Sequence, residues 1–177
     1  MNEDNDKVVF VTIGTTKFDL LIRTITDIDV LQSLRKRGYK TLIIQKGNGV
    51  EVPNITNAEK VGIYLTYYEY KNSILEDILN ADLVISHAGA GTCLEVLEKG
   101  KPLLVVVNEE LMHNHQSELA DQLSLEMYLF SCTCATLKST IDSMDLLKLK
   151  RMEISTNNLF AKYLNNFMGL NEVGTQE

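Results

Sequence analysis

Short continuous apolar runs alternate along the chain with segments of helical spacing. The continuous runs are typical of strands buried on both faces, and they predict strands over residues 8–13, 41–45, 61–68, 82–86, 103–107 and 128–130. Helical spacing predicts helices over residues 18–26, 30–37, 72–80, 93–99, 114–125, 137–152 and 159–168. Strands that alternate with helices predict an α/β fold, with a Rossmann-like parallel sheet covered by helices on both faces and further helices at the C-terminus.

Individual positions sharpen this prediction. Gly38 directly follows the helix over 30–37 and suits the position just past a helix end. In the helix over 72–80, the residues expected to face the core are Ile74, Leu75, Ile78 and Leu79. The pattern indicates no domain boundary before about residue 150. We therefore predict a polar tail over 1–7, one Rossmann-like domain over 8–150, and a helix with a tail over 151–177.

The predicted helix over 159–168 is apolar along one face. A helix this short is marginal in water unless it packs against something, so this face has to be buried. The face is formed by Leu159, Phe160, Tyr163, Leu164 and Phe167. Docking on the chain's own sheet and docking on another subunit would both satisfy the requirement.

Composition narrows the function classes. Of the 177 residues, 45% are hydrophobic and 23% are charged, which is typical of a globular domain. The net charge of −7 argues against non-specific nucleic-acid binding, and Arg35, Lys36 and Arg37 are expected to form only a solvated helix end. No apolar run approaches the roughly 20 residues that span a bilayer. Because residues 1–7 are acidic and polar, unlike a signal peptide, we expect a cytosolic protein.

The cysteines predict neither a disulfide framework nor a metal centre. Cys93, Cys132 and Cys134 are too few for a disulfide scaffold, and no second pair completes a zinc site with Cys132 and Cys134. We expect reduced thiols, with Cys132 and Cys134 at a strand end. We predict no metal ion and no cofactor.

A glycine-rich loop between the strand over 82–86 and the helix over 93–99 is the strongest local signal. It consists of His87, Ala88, Gly89, Ala90, Gly91 and Thr92. Small residues allow a ligand to approach the backbone, and the unpaired N–H groups and positive dipole end of the following helix suit phosphate. The loop matches neither a P-loop nor a complete G-x-G-x-x-G motif. From the loop alone, a tight connection without a ligand is almost as well supported.

Two roles compete for Glu95. If Thr92 is the N-cap of the helix, Glu95 lies three residues later and completes a capping box. In a nucleotide site, the same carboxylate would instead accept hydrogen bonds from ribose hydroxyls. Local pattern does not decide between these roles.

Two further segments are expected at the same edge of the sheet. Gly14 and Thr15 follow the first strand and precede a helix, so their loop opens toward the same crevice as the glycine-rich loop. Asn114, His115 and Gln116 begin the helix after the strand over 103–107, with side chains suited to sugar hydroxyls.

The motifs together resemble one family. They are residues 11–16, 81–95, 97–103 and 114–120, and the resemblance covers residues 8–137 in family-like order and spacing. The family is the cytosolic catalytic subunit of the eukaryotic UDP-N-acetylglucosamine transferase of dolichol-linked oligosaccharide synthesis. Its relatives include the C-terminal half of the bacterial enzyme that makes lipid II. The resemblance implies the C-terminal half of a GT-B glycosyltransferase.

The resemblance also implies an activity. It implies β1,4 transfer of N-acetylglucosamine, with inversion, from UDP-N-acetylglucosamine to N-acetylglucosaminyl-diphosphodolichol. Residues 88–92 would contact the diphosphate, Glu95 the ribose, and His115 and Gln116 the sugar, although the lipid II relatives have two glutamines at these last positions. Inverting transfer also needs a general base, which we do not find in the sequence.

The second half of the fold, the base and the membrane anchor are expected on a partner subunit. That partner would recruit the chain to the cytosolic face of the endoplasmic reticulum. A non-catalytic UDP-sugar-binding regulatory module is the alternative, and a sugar epimerase of similar fold is disfavoured by the short chain.

Overall fold

A computed structural model describes residues 6–109 and 115–152, with the backbone alone for residues 115–118. Its six strands are β1 (Lys7–Thr12), β2 (Tyr39–Gln45), β3 (Tyr64–Tyr68), β4 (Leu83–His87), β5 (Leu103–Val107) and β6 (Phe130–Thr133). They form one sheet in the order β3-β2-β1-β4-β5-β6, and every neighbouring pair is parallel. The predicted α/β fold with a parallel sheet is confirmed.

Helices connect the strands and cover both faces of the sheet. They are α1 (Asp19–Ile25), α2 (Ile28–Lys36), α3 (Ile55–Val61), α4 (Leu75–Asn80), α5 (Ala90–Glu98), α6 (His115–Leu125) and α7 (Leu137–Ser143). Within residues 6–109 and 115–152, no helix combines the length and the apolar character needed to cross a bilayer.

The core consists of two apolar layers, one on each side of the sheet. Successive strand residues point to opposite faces, and β1 shows this directly. Val9 and Val11 pack with residues of α1, α2, α3 and α7, whereas Phe10 packs with residues of α4, α5 and α6. All three are fully buried, and burial of each such side chain stabilises the fold by about 1.5–3 kcal/mol.

The structure corrects the prediction around β3. Residues 55–61 form α3, so the strand begins at Tyr64 instead of residue 61. The side chain of Asn54 caps α3 by accepting a hydrogen bond from the Asn57 N–H, and Gly62 ends the helix with a φ of +74°. α3 buries only Ala58, so its apolar pattern was too weak to predict a helix.

The segment after β5 also differs from the prediction. The last strand lies at Phe130–Thr133 instead of 128–130. The helix predicted over 137–152 ends at Ser143, and a short 3-10 helix follows at Leu146–Lys148. The Asp145 carboxylate accepts a hydrogen bond from the Leu147 N–H at 3.1 Å, and this local bond competes with continuation of the α-helix. The predicted helix over 159–168 lies outside the described residues.

Two predictions about individual side chains are wrong and two are confirmed. Leu79 is 48% exposed, because the short α4 buries its other face at Asp77 and Ile78. Arg37 is not part of a solvated helix end, since its Nη2 donates to the Met144 carbonyl at 2.8 Å. Gly38 follows α2 with a φ of +89°, as predicted. Cys132 lies in β6 as a reduced thiol, as expected.

Candidate nucleotide-sugar site

The crevice of the sheet lies between β1 and β4. These strands are neighbours, with Thr12 beside Ser86 near their carboxyl ends. From β1 the chain proceeds outward to β2 and β3, whereas from β4 it proceeds the opposite way to β5 and β6. The connections therefore diverge at this point, and ligands of doubly wound folds bind at such a switch point.

One wall of the crevice is the β1 loop, which we define as residues 13–18. Gly14 has a φ of +61°, a conformation that favours glycine. Its N–H donates to the Thr12 hydroxyl at 3.2 Å, and that hydroxyl donates to Gln45 Oε1 at 2.5 Å within the core. Thr15 and Thr16 are exposed. The predicted position of Gly14 and Thr15 at the carboxyl edge of the sheet is confirmed.

A second loop supports this wall, and the sequence did not suggest it. Residues 46–54, here called the β2 loop, pack directly on the β1 loop. Asn48 donates through its backbone N–H to the Thr16 carbonyl at 3.1 Å and through Nδ2 to the Thr15 carbonyl at 2.8 Å. A Cβ on Gly47 would lie 2.5 Å from the Thr16 carbonyl oxygen. The Gly47, Asn48, Gly49 sequence was the available signal, but it was interpreted only as the end of a strand.

The other wall begins at the end of β4. His87 is its last residue, and the buried Ala88 and Gly89 lead into α5. A Cβ on Gly89 would lie 2.5 Å from His87 Nε2, and a Cβ on Gly14 would lie 3.3 Å from His87 Cε1. The imidazole therefore lies where the two walls meet. Burial lowers the pKa of His87 below its usual value, and the Thr12 carbonyl opposes this effect only in part, so the ring is neutral at pH 7.

The helix α5 begins earlier than predicted. Gly89 is its N-cap, and no side chain caps the helix there. Ala90, Gly91 and Thr92 thus form the first turn, whose N–H groups point away from the helix and have no intrahelical acceptor. A Cβ on Gly91 would meet no atom of the described residues within 4 Å. The first turn therefore opens to free space and offers N–H donors and a positive dipole end to an anion.

This start of α5 removes one of the two roles considered for Glu95. Thr92 is the third residue of the helix and not its N-cap, so Thr92 and Glu95 do not form a capping box. Glu95 lies three and four residues after Thr92 and Gly91, which places it one turn further along the same helix face. Its side chain is half-buried. A carboxylate in this position is available to a ligand that extends from the first turn.

The third predicted segment begins α6. The backbone of His115 and Gln116 starts this helix after β5, the neighbour of β4 in the sheet. Asn114 and the side chains of His115 and Gln116 lie outside the described residues, so their contact with sugar hydroxyls stays a prediction.

Comparison with known proteins agrees with this geometry. The model of the glycosyltransferase family 28 C-terminal domain matches residues 8–167. The chain belongs to this family. It is 31% identical over 192 residues to the UDP-N-acetylglucosamine transferase subunit ALG13 of Kluyveromyces lactis, covering 91% of this chain and 98% of that protein. It is 57% identical over 131 residues to the human protein of the same name, covering 74% of this chain but only 11% of the human protein.

Solved structures extend the comparison. The solution structure of ALG13 superposes with a TM-score of 0.67 at 28% identity, covering 90% of this chain and 95% of that one. Acinetobacter baumannii MurG superposes with a TM-score of 0.60 at 16% identity, covering 84% of this chain and 44% of that one. At this identity MurG supports the fold alone. The fold is that of the C-terminal domain of GT-B glycosyltransferases, as expected from the sequence.

Proposed function

We propose that the crevice binds the diphosphate of UDP-N-acetylglucosamine against the N–H groups of Ala90, Gly91 and Thr92. The observation that carries the proposal is the first turn of α5, which is uncapped and opens at the switch point. Backbone N–H groups with a helix dipole stabilise phosphate without a metal ion. The names of the relatives, which are UDP-N-acetylglucosamine transferase subunits, support the choice of donor.

The ribose and the sugar of the donor would contact residues of α5 and α6 beside the crevice. Glu95 accepts hydrogen bonds from the ribose hydroxyls one turn beyond the diphosphate. His115 and Gln116 contact the sugar from the start of α6. Gly14 and Thr15 close the site from the side of the β1 loop.

The proposed reaction is inverting transfer of N-acetylglucosamine to N-acetylglucosaminyl-diphosphodolichol with formation of a β1,4 bond. Departure of UDP places negative charge on the diphosphate, and the oriented N–H groups of α5 stabilise that charge. Deprotonation of the acceptor hydroxyl needs a general base. We place this base on a partner subunit, because His87, the titratable group that ends β4, lies against Gly89 at the start of α5, where the proposed site holds the diphosphate and not the acceptor hydroxyl.

The partner subunit would also supply the second half of the GT-B fold and the membrane anchor. The word subunit in the relatives' names supports a partner. Recruitment through this partner would bring the chain from the cytosol to the cytosolic face of the endoplasmic reticulum, where it would meet the dolichol-linked acceptor.

The substitution Gly91→Val tests the proposed diphosphate position. The added side chain would enter the free space in front of the first turn. We expect UDP binding to be lost in calorimetric titrations, with a melting temperature close to that of the unaltered chain. Gly100→Ala, at the other end of α5, is the matched control and should bind UDP normally. Unchanged UDP affinity in Gly91→Val would overturn the proposed position.

A further inference from the structure

We propose that His87 is a positioning residue of the donor site, whose ring sets the distance between the β1 loop and the start of α5. The inference rests on the proposed donor site. It adds a residue that acts through the bulk of its side chain and not through a bond to the ligand. In this role His87 holds the Gly89 N-cap, and with it the first-turn N–H groups, in the direction of the crevice.

The contacts on the two sides of the ring carry the proposal. On one side, a Cβ on Gly89 would lie 2.5 Å from Nε2, 2.9 Å from Cε1 and 3.3 Å from Cδ2. On the other side, a Cβ on Gly14 would lie 3.3 Å from Cε1 and 3.9 Å from Nε2. The same edge of the imidazole is therefore in close contact with one glycine from each wall of the crevice.

Backbone conformation does not explain the glycine at position 89. Gly89 has a φ of −72° and a ψ of 118°, which any residue adopts readily. The ring of His87 explains it instead, since a side chain there would overlap the imidazole. Gly14 differs, because its φ of +61° favours glycine independently of its surroundings.

The ring has a backbone hydrogen-bond partner at Thr12, but its two nitrogens are not both satisfied. Nδ1 is buried and has no hydrogen-bond partner among the described residues. A buried polar atom without a partner is costly, so its presence calls for an explanation. Burial lowers the pKa of the ring below its usual value, so the ring is neutral at pH 7 when the site is empty.

Two substitutions separate shape from hydrogen bonding. His87→Leu keeps the bulk of the side chain but removes its polar atoms. His87→Ala removes both. We expect the UDP affinity of His87→Leu to stay within about threefold of the unaltered chain and that of His87→Ala to fall at least about tenfold, because ångström-scale displacement of positioning groups is costly. An equal loss in both variants would overturn the proposal and indicate that a hydrogen bond of the ring, to phosphate or to the Thr12 backbone, is what binding requires.

A double-mutant cycle tests the contact independently of UDP. Gly89→Ala alone should lower the melting temperature by about 5 °C, since its Cβ would overlap the ring. In the His87→Ala background the same substitution should cost little, because the space is vacated. Gly91→Ala is the matched control and should be additive with His87→Ala, since in the part of the chain that the structure describes its Cβ meets no atom within 4 Å.

The outcomes distinguish this inference from the proposed function. Coupling between positions 87 and 89, with no UDP binding by the unaltered chain, would support the contact and contradict the donor site. UDP binding without such coupling would support the donor site and overturn the positioning role of His87.

Discussion

Glu95 is the residue for which the structure changes the interpretation most. Since Gly89 caps α5 and Thr92 lies inside it, Glu95 has no capping function to lose. We expect Glu95→Gln to leave the melting temperature unchanged and to weaken binding of UDP-N-acetylglucosamine by on the order of tenfold, because a charged acceptor forms stronger hydrogen bonds than an amide. The exposed Glu98 on the same helix provides the control Glu98→Gln. Full donor affinity in Glu95→Gln would refute the ribose contact.

His87 predicts a pH dependence of stability. Burial lowers its pKa below 6.5 in the folded state, so the unfolded chain takes up a proton first as the pH falls. Stability is therefore complete above about pH 6.5 and decreases as the pH falls below it. Thermal melts at about pH 7.5 and pH 5.5 should show a smaller difference for His87→Leu than for the unaltered chain. An identical difference in both proteins would show that His87 does not contribute.

At the scale of elements, packing between loops shapes the crevice. Gly47 has a φ of +61° and its Cβ would lie 2.5 Å from the Thr16 carbonyl oxygen. Gly100 has a φ of +64°, and its Cβ would meet none of the described atoms within 4 Å. We expect Gly100→Ala to cost about 1 kcal/mol from backbone strain alone and Gly47→Ala to cost at least about 2 kcal/mol. Denaturant unfolding of both variants measures the difference. Equal costs would mean that the β2 loop does not support the β1 loop.

The sequence predicted most elements because buried parallel strands leave continuous apolar runs, and β5 was predicted at its observed bounds of Leu103–Val107. It failed where short-range polar contacts decide the structure. The side chain of Asn54 caps the start of α3. The turn at Asp145 follows the end of α7, where the sequence predicted that the helix would continue to residue 152. The start of α5 was misplaced for a related reason, since Thr92 fits the N-cap preference better than the glycine that occupies it.

At the scale of the whole molecule, the described residues line the crevice with the C-terminal half of a GT-B fold. We predict that the purified chain alone does not transfer N-acetylglucosamine to a lipid-linked acceptor. Material co-purified from a eukaryotic membrane extract should transfer it from labelled UDP-N-acetylglucosamine, because the proposed partner would supply the general base and the second half of the GT-B fold. Robust transfer by the chain alone would refute partner dependence. Donor binding without transfer, even with the partner present, would indicate a regulatory module instead.

The sequence predicted which loops come together at the candidate site, but not the side-chain contacts between them. The convergence of Gly14 with residues 87–92 followed from the rule that parallel strands end at one edge of a sheet. The contact between His87 and both glycines did not follow, because it depends on the spacing of β1 and β4 and on the orientation of one ring. The support from Asn48 was missed since it joins loops that are distant in sequence.

A titration of UDP-N-acetylglucosamine into the ¹⁵N-labelled chain tests the central claim most directly, because glycine amides lie at both ends of the sheet. Gly14, Gly89 and Gly91 lie at the carboxyl edge, whereas Gly38, Gly62 and Gly100 precede strands at the amino edge. Binding at the first turn of α5 should shift the first three amide signals and leave the other three in place. Shifts confined to Gly38, Gly62 and Gly100, or no shifts at saturating donor, would contradict a nucleotide-sugar site in this crevice.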